Sequence, residues 1–278
     1  MQARLAFFWR SISSKDKDDV EHDILIAEQK HEKFCSEFLT TLPSAFSLQT
    51  NKQYDERLPM LPLQRAIFHI SIFDSICHNF RPVLLKNSSQ VQFLPSYKQV
   101  LLSTQQKALA VAALNILERV SILHTMMGGS QIRFAGIIIP TFEAAVLLGY
   151  LCMHQDFPGE NENHRPNTIM GDVLGAGIAS LKREECIQAV QDSLSRLQML
   201  AEVSTMAEVG AYTLDHLVSK MLSVGTQKNE DAPMSTNDLH FPEYSDSPSL
   251  AGVDSLLALD DIDVNWAALT PGLSGNPL

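Results

Sequence analysis

"STQQKALAVAALNILERVSILHTMMGG", residues 103–129, decides the fold of this chain. Leu109, Ala113, Ile116, Leu117, Val120 and Leu123 recur mostly three or four residues apart, which gathers them along one side of an α-helix. A half-buried strand would alternate apolar and polar residues instead. Ser103 followed by Gln106 has the form of a capping box, so the helix is predicted to start there. Gly128-Gly129 can take the left-handed backbone that ends a helix.

The same period extends to both sides. In 22–42 the apolar positions are Ile24, Ala27, Phe34, Cys35, Phe38 and Leu42, and Pro43 closes the segment. In 62–80 they are Leu63, Ala66, Ile67, Ile70, Phe73, Cys77 and Phe80. Pro62 suits a first helical position, and Pro82 pushes Arg81 out of helical geometry. Residues 181–200 carry Leu181, Ile187, Val190, Leu194, Leu197 and Leu200, with Ser180 as the expected cap. A last helix over 204–224 presents Met206, Val209, Leu214, Leu217 and Met221.

"FAGIIIPTFEAAVLLGYLCM", 134–153, is about as long as a bilayer span. Pro140 and Glu143 interrupt it, and a central glutamate is costly in lipid. It reads as an extended lead-in followed by a buried helix from Pro140 to about His154, joined to the next helix by a polar loop at 156–168. The nearest thing to a strand is "SSQVQFLP" at 88–95, which is short, and no repeat of solenoid length exists. The expected architecture is all-α, a bundle-like body over 22–224 with helices packed on one another.

Charge divides the chain. After Lys228 there is no lysine or arginine, while nine acidic residues follow and carry −9 of the net −11 of the 278-residue sequence. The body is therefore close to neutral and offers no cluster of Lys and Arg for phosphate contacts, so direct DNA contact by this chain is not expected. "TQKNEDAPMSTNDLHFPEYSDSPS" is polar and proline-containing, and 225–278 reads as a disordered linker and acidic tail. The four cysteines are widely separated, with no zinc or redox spacing, and three sit on apolar helix faces as reduced thiols. "LAFF" near the N-terminus is too short for a secretory signal core, which favours a reducing setting.

Catalytic motifs fail. "GDVLGAGIAS" at 171–180 has glycines but neither the preceding strand nor the lysine that a phosphate loop needs, and reads as a small-residue loop. His69 and His78 share a helix but stand too far apart to hold one ion. Each of the nine histidines reads as a surface or locally bonded residue. Glu184-Glu185 suits a helix N-terminus. No enzyme is expected.

"LPLQRAIFHISIFDSICHNFRPVLL", 61–85, resembles part of the regulatory middle homology domain of fungal zinc-cluster transcription factors. The resemblance rests on His69 in a leucine-led helix and on an exit at Arg81, Pro82 and Leu84, with Val83 where an aromatic is commoner. "FCSEFLTTLPSAFSL" (34–48), "IIIPTFEAAVLLGYL" (137–151) and "ECIQAVQDSLSRLQML" (185–200) resemble flanking helices of that domain in the same order. The resemblance spans 22–224, leaving 1–21 as an N-terminal remnant. It implies a nuclear transcriptional regulator that works through coactivators and a homodimer or partner factor, without membrane attachment. Family members carry an N-terminal six-cysteine zinc cluster. No cofactor is expected in this chain, and zinc only if such a cluster is missing from its start, as in a truncated gene model.

"SLLALDDIDVNWAAL", 255–269, then reads as an activation segment. Repulsion among Asp254, Asp260, Asp261 and Asp263 keeps Leu256, Leu257, Leu259, Ile262 and Trp266 available to a coactivator groove. In a helix, Leu259, Ile262 and Trp266 would share one face. The alternative is a helical small-molecule-binding protein or enzyme without a recognisable motif.

Overall fold

The computed structural model describes residues 1–12, 24–49, 52–85, 91, 93–129, 134–154, 156–159 and 173–226. Among them there is no strand, and the all-α expectation holds. The acidic tail, its five candidate contact residues and most of the 156–168 loop lie outside the described residues.

The helices are α1 (Gln2–Ile12), α2 (Ile24–Lys33), α3 (Leu61–Phe80), α4 (Ser96–Met126), α5 (Ala135–Met153), α6 (Gly175–Ser180), α7 (Arg183–Ala201) and α8 (Thr205–Thr226). A π-helical turn, Phe34–Phe38, extends α2, and a 3-10 turn, Arg81–Leu85, follows α3. Helix α4 is the centre. It packs on α3 along one side and on α5 along another, while α5, α7 and α8 pack on each other. Every residue from Ala108 to Ala113 is buried. The alanines let neighbouring backbones approach α4 from several sides at once, and the predicted stripe through Leu123 is buried throughout.

Helix α4 begins before the expected capping box. Pro95 sits at the N-cap with extended backbone, its carbonyl accepts from the amides of Lys98 and Gln99, and Ser103 is exposed in the helix interior. The C-terminus is as expected, with Gly128 and Gly129 at φ 93° and 85°. Helix α5 likewise starts earlier, at Ala135, with Pro140 inside it. Proline removes one main-chain donor there, but Ile137 and Ile138 are buried in the turn before it, and that burial favours the helix over an extended lead-in. Ser180 ends the short helix α6 and does not cap α7. The capping position belongs to Lys182, whose side chain makes no capping bond.

Helix α8 departs most from its sequence reading. Ala207, Ala211, Leu214, Val218 and Met221 are its buried face, whereas Met206 is 48% and Val209 66% exposed. Gly149 explains part of this phase. A Cβ on it would lie 2.7 Å from Leu217 Cδ2, so α5 leaves room at this point for a leucine of α8. At the other end of the chain, α1 buries Leu5, and Trp9 stacks on Phe34 with ring centroids 5.0 Å apart.

Candidate functional site

Two polar features stand out, a buried layer against α3 and a cleft between α4, α6 and α7. The buried layer begins with Arg65, a lone cation in the apolar run of α3. Its Nε donates to the Ala45 carbonyl at 2.7 Å and its Nη2 to Asp55 Oδ1 at 2.8 Å, and Nη1 reaches Asp55 Oδ2 at 3.3 Å. One turn on, the buried His69 ring bonds through Nε2 to the Phe46 carbonyl at 3.2 Å. A carbonyl only accepts, so this nitrogen carries the proton. Burial lowers the His69 pKa to about 4, against the raising effect of the Phe46 bond. His69 is therefore neutral near pH 7 and fastens the Ser44–Phe46 turn to α3. His31 and His124 are buried as well, each bonded close by in sequence, His31 Nε2 to Cys35 Sγ at 3.6 Å and His124 Nε2 to the Gly129 carbonyl at 2.9 Å. The surface reading therefore fails for these three, while local bonding holds for His31 and His124, and His69 bonds 23 residues away.

Gln105 is fully buried and donates to the Ile24 carbonyl at 2.7 Å and to Glu28 Oε2 at 3.3 Å, which ties α2 to α4. Tyr150 does the same for α5, its hydroxyl donating to the Leu84 carbonyl at 3.2 Å. Glu143, one of two residues that argued against a membrane span, is half-buried on α5. Burial raises its pKa, Asp74 adds to the rise and Arg81 opposes it. Helices α4 and α5 are both long and apolar enough to cross a bilayer, and just over half of each apolar window is buried within the chain itself.

The cleft has a volume of about 580 Å³. Leu114, Leu117 and Leu181 give it an apolar floor, and Glu118, Asp192 and Arg196 stand on its rim. Burial lowers the Arg196 pKa, and the Asp192 carboxylate offsets this. The wall formed by α6 depends on Gly177, where a Cβ would fall 2.5 Å from Val111 Cγ1. Gly177 of "GDVLGAGIAS" thus serves helix contact, and Gly175–Ser180 is a short helix where a loop was expected.

Arg183 closes the C-terminus of α5. Its Nη1 donates to the His154 carbonyl at 2.7 Å and the Phe157 carbonyl at 3.3 Å, and its Nη2 to the Cys152 carbonyl. A cation at this end also complements the helix dipole. All four cysteines are buried, and among the described residues no group of three or more His, Cys, Asp or Glu is placed to hold a metal. Four thiols spread through a helical core do not match the six-cysteine set of a zinc cluster.

Sequence reading missed Arg65, Asp55, Gln105 and Arg183. For Arg65 a signal existed, a cation inside the largely apolar run "LPLQRAIFHISIF". The partners of Gln105 and Arg183 are 81 and about 30 residues away, beyond the reach of local pattern.

Comparison with known proteins bears on all of this. A protein of Penicillium rubens named "Transcription factor xilB" is 41% identical over 237 residues, 85% of this chain and 34% of that protein. One of Alternaria solani named "Probable transcription factor sol4" is 31% identical over 236 residues, 82% of this chain and 42% of that protein. The chain is a relative of fungal transcription factors. It spans between a third and a half of the length of these curated relatives. No family model matches the chain, and no solved structure matches it.

Proposed function

We propose that this chain is the regulatory region of a fungal zinc-cluster-type transcription factor, with an α-helical body over 22–224 and an acidic activation segment in 225–278, and that it acts in the nucleus. What supports the reading is the match to two named fungal transcription factors across most of the chain. It acts through protein contacts, not catalysis. Coactivators meet Leu256, Leu257, Leu259, Ile262 and Trp266, and the body joins a second copy or a partner factor. DNA contact falls to another part of the assembly, a reading supported by the near-neutral charge of the body's sequence.

The test is a fusion of residues 229–278 to an unrelated DNA-binding domain. It should activate a reporter, and Trp266→Ala combined with Leu259→Ala should weaken activation several-fold. A well-expressed but silent fusion overturns the activation segment.

The cleft favours a second reading, in which the body itself binds a small molecule. Its size lies in the range of small-molecule sites. A thermal-shift screen of the full chain that yields a ligand, whose stabilisation Arg196→Ala and Asp192→Asn abolish, would establish it.

A further inference from the structure

We propose that the cleft between α4 and α7 receives the exposed face of α1 from a second copy of this chain, with Phe7 as the anchor. Such a contact rests on the reading that the body joins a second copy, and it gives that reading two named surfaces. Helix α1 is committed to its own body on one side only. Leu5 is buried, Trp9 stacks on Phe34, Phe8 lies against Phe38 with centroids 5.4 Å apart, and Gln2 Nε2 donates to Ser71 Oγ at 3.1 Å. The other side presents Ala3, Ala6, Phe7 and Arg10 at helical spacing, all exposed, with Phe7 at 72%. No acidic residue precedes Asp16 in the sequence, so Arg10 stands on this apolar face without a negative neighbour in its own helix.

The cleft complements that face in shape and in charge. Gly177 meets Val111 and Leu181 leads into α7, so α4 and α7 depart from the same end and line the cleft together as far as Ser121 and Arg196. Past those residues the same helical rows continue to Ile122 on α4 and Met199 on α7, both exposed, which lengthens the apolar trough beyond what one side chain fills. The lining carries Glu118, Glu185 and Asp192 against Arg196, and Gln188 holds the Asp192 carboxylate by a 2.8 Å bond. This excess of carboxylates favours an arginine-bearing occupant and repels an acidic one. The exposed Val209 and Tyr212 of α8 do not suit it, because the exposed Glu208 and Asp215 stand on the same helix beside them. Phe7 enters over the leucine floor while Arg10, one turn on, meets the acidic rim. A desolvated aromatic anchor carries most of the binding free energy in such a contact, and the rim charges set orientation and rate. The two surfaces are unlike, so the second copy docks head to tail.

Sedimentation equilibrium of the full chain tests the contact. The wild type should associate as its concentration rises. Phe7→Glu, which spoils α1, and Ala189→Trp, which fills the cleft, should each weaken association by about tenfold or more, as loss of an aromatic anchor does. Mixed one to one, the two variants should form a heterodimer, because one retains its cleft and the other retains its α1. Where circular dichroism shows either variant misfolded, the exposed pair Arg10→Glu and Asp192→Lys takes its place in the same mixing design. Variants that associate as well as the wild type overturn the α1–cleft contact and leave the second-copy reading standing. Variants that lose association and do not regain it on mixing also overturn the contact. A wild type that stays monomeric up to about 100 μM overturns both. A small molecule that occupies the cleft while association continues unchanged gives the cleft to a ligand and overturns α1 as its occupant.

Discussion

Helices α4 and α8 share a device and differ in how openly the sequence shows it. Both use alanine to bring other helices close. In α4 the alanines are interleaved with Leu109, Ile116, Leu117, Val120 and Leu123, so the large residues and the buried face coincide. In the first half of α8 the small residues Ala207, Gly210 and Ala211 face inward while Met206, Val209 and Tyr212 face out, and Leu214, Val218 and Met221 fill the inner face farther on. An apolar stripe therefore marks a core face only where the space behind it needs volume. Where partner helices already approach closely, the core takes the small residues and the bulky ones are left outside.

The strongest attack on this contrast is at α4. Leu109→Ala removes a fully buried side chain from the most crowded part of the body and should cost about 2–5 kcal/mol, read from urea unfolding. A cost near zero would mean that α4 is not the centre of the packing.

The α3 side can be probed by pH. His69 has a folded pKa of about 4, below its value of 6.5 when unfolded, so its burial is least costly above pH 6.5 and stability falls as pH drops toward 4. At pH 5 the loss from this group should be about 2 kcal/mol. His69→Gln keeps a donor for the Phe46 carbonyl and should flatten this part of the profile. Equal pH dependence in both proteins would place the acid sensitivity elsewhere.

The α8 prediction is smaller and two-sided. Ala211→Leu should destabilise by about 1–3 kcal/mol through overpacking, whereas Val209→Ser should stay within about 0.5 kcal/mol. Equal effects at the two positions would restore the phase expected from the large residues.

The fold class and the order of the long helices were legible because these repeat their apolar residues at a helical period, whereas the six residues of α6 are too few and too small to show one. Boundaries were less so. The Ser103–Gln106 pattern resembles a cap, but Pro95 caps α4 eight residues earlier, and Ile137 with Ile138 carries α5 backward past Pro140. The polar features were hardly legible at all. Arg183 meets carbonyls about 30 residues away and Gln105 meets one at 81 residues, so only the folded chain reveals their purpose. The cleft has the same origin, since its lining comes from three helices and the Leu181 link between two of them, which share no local motif.

One absent side chain carries an architectural burden. With only a hydrogen at Gly177, α6 can lie flush against the isopropyl group of Val111. A single methyl group at that point would act as a wedge between two stiff surfaces, levering α6 outward and remodelling the hollow beside it without touching any charged residue on its lip.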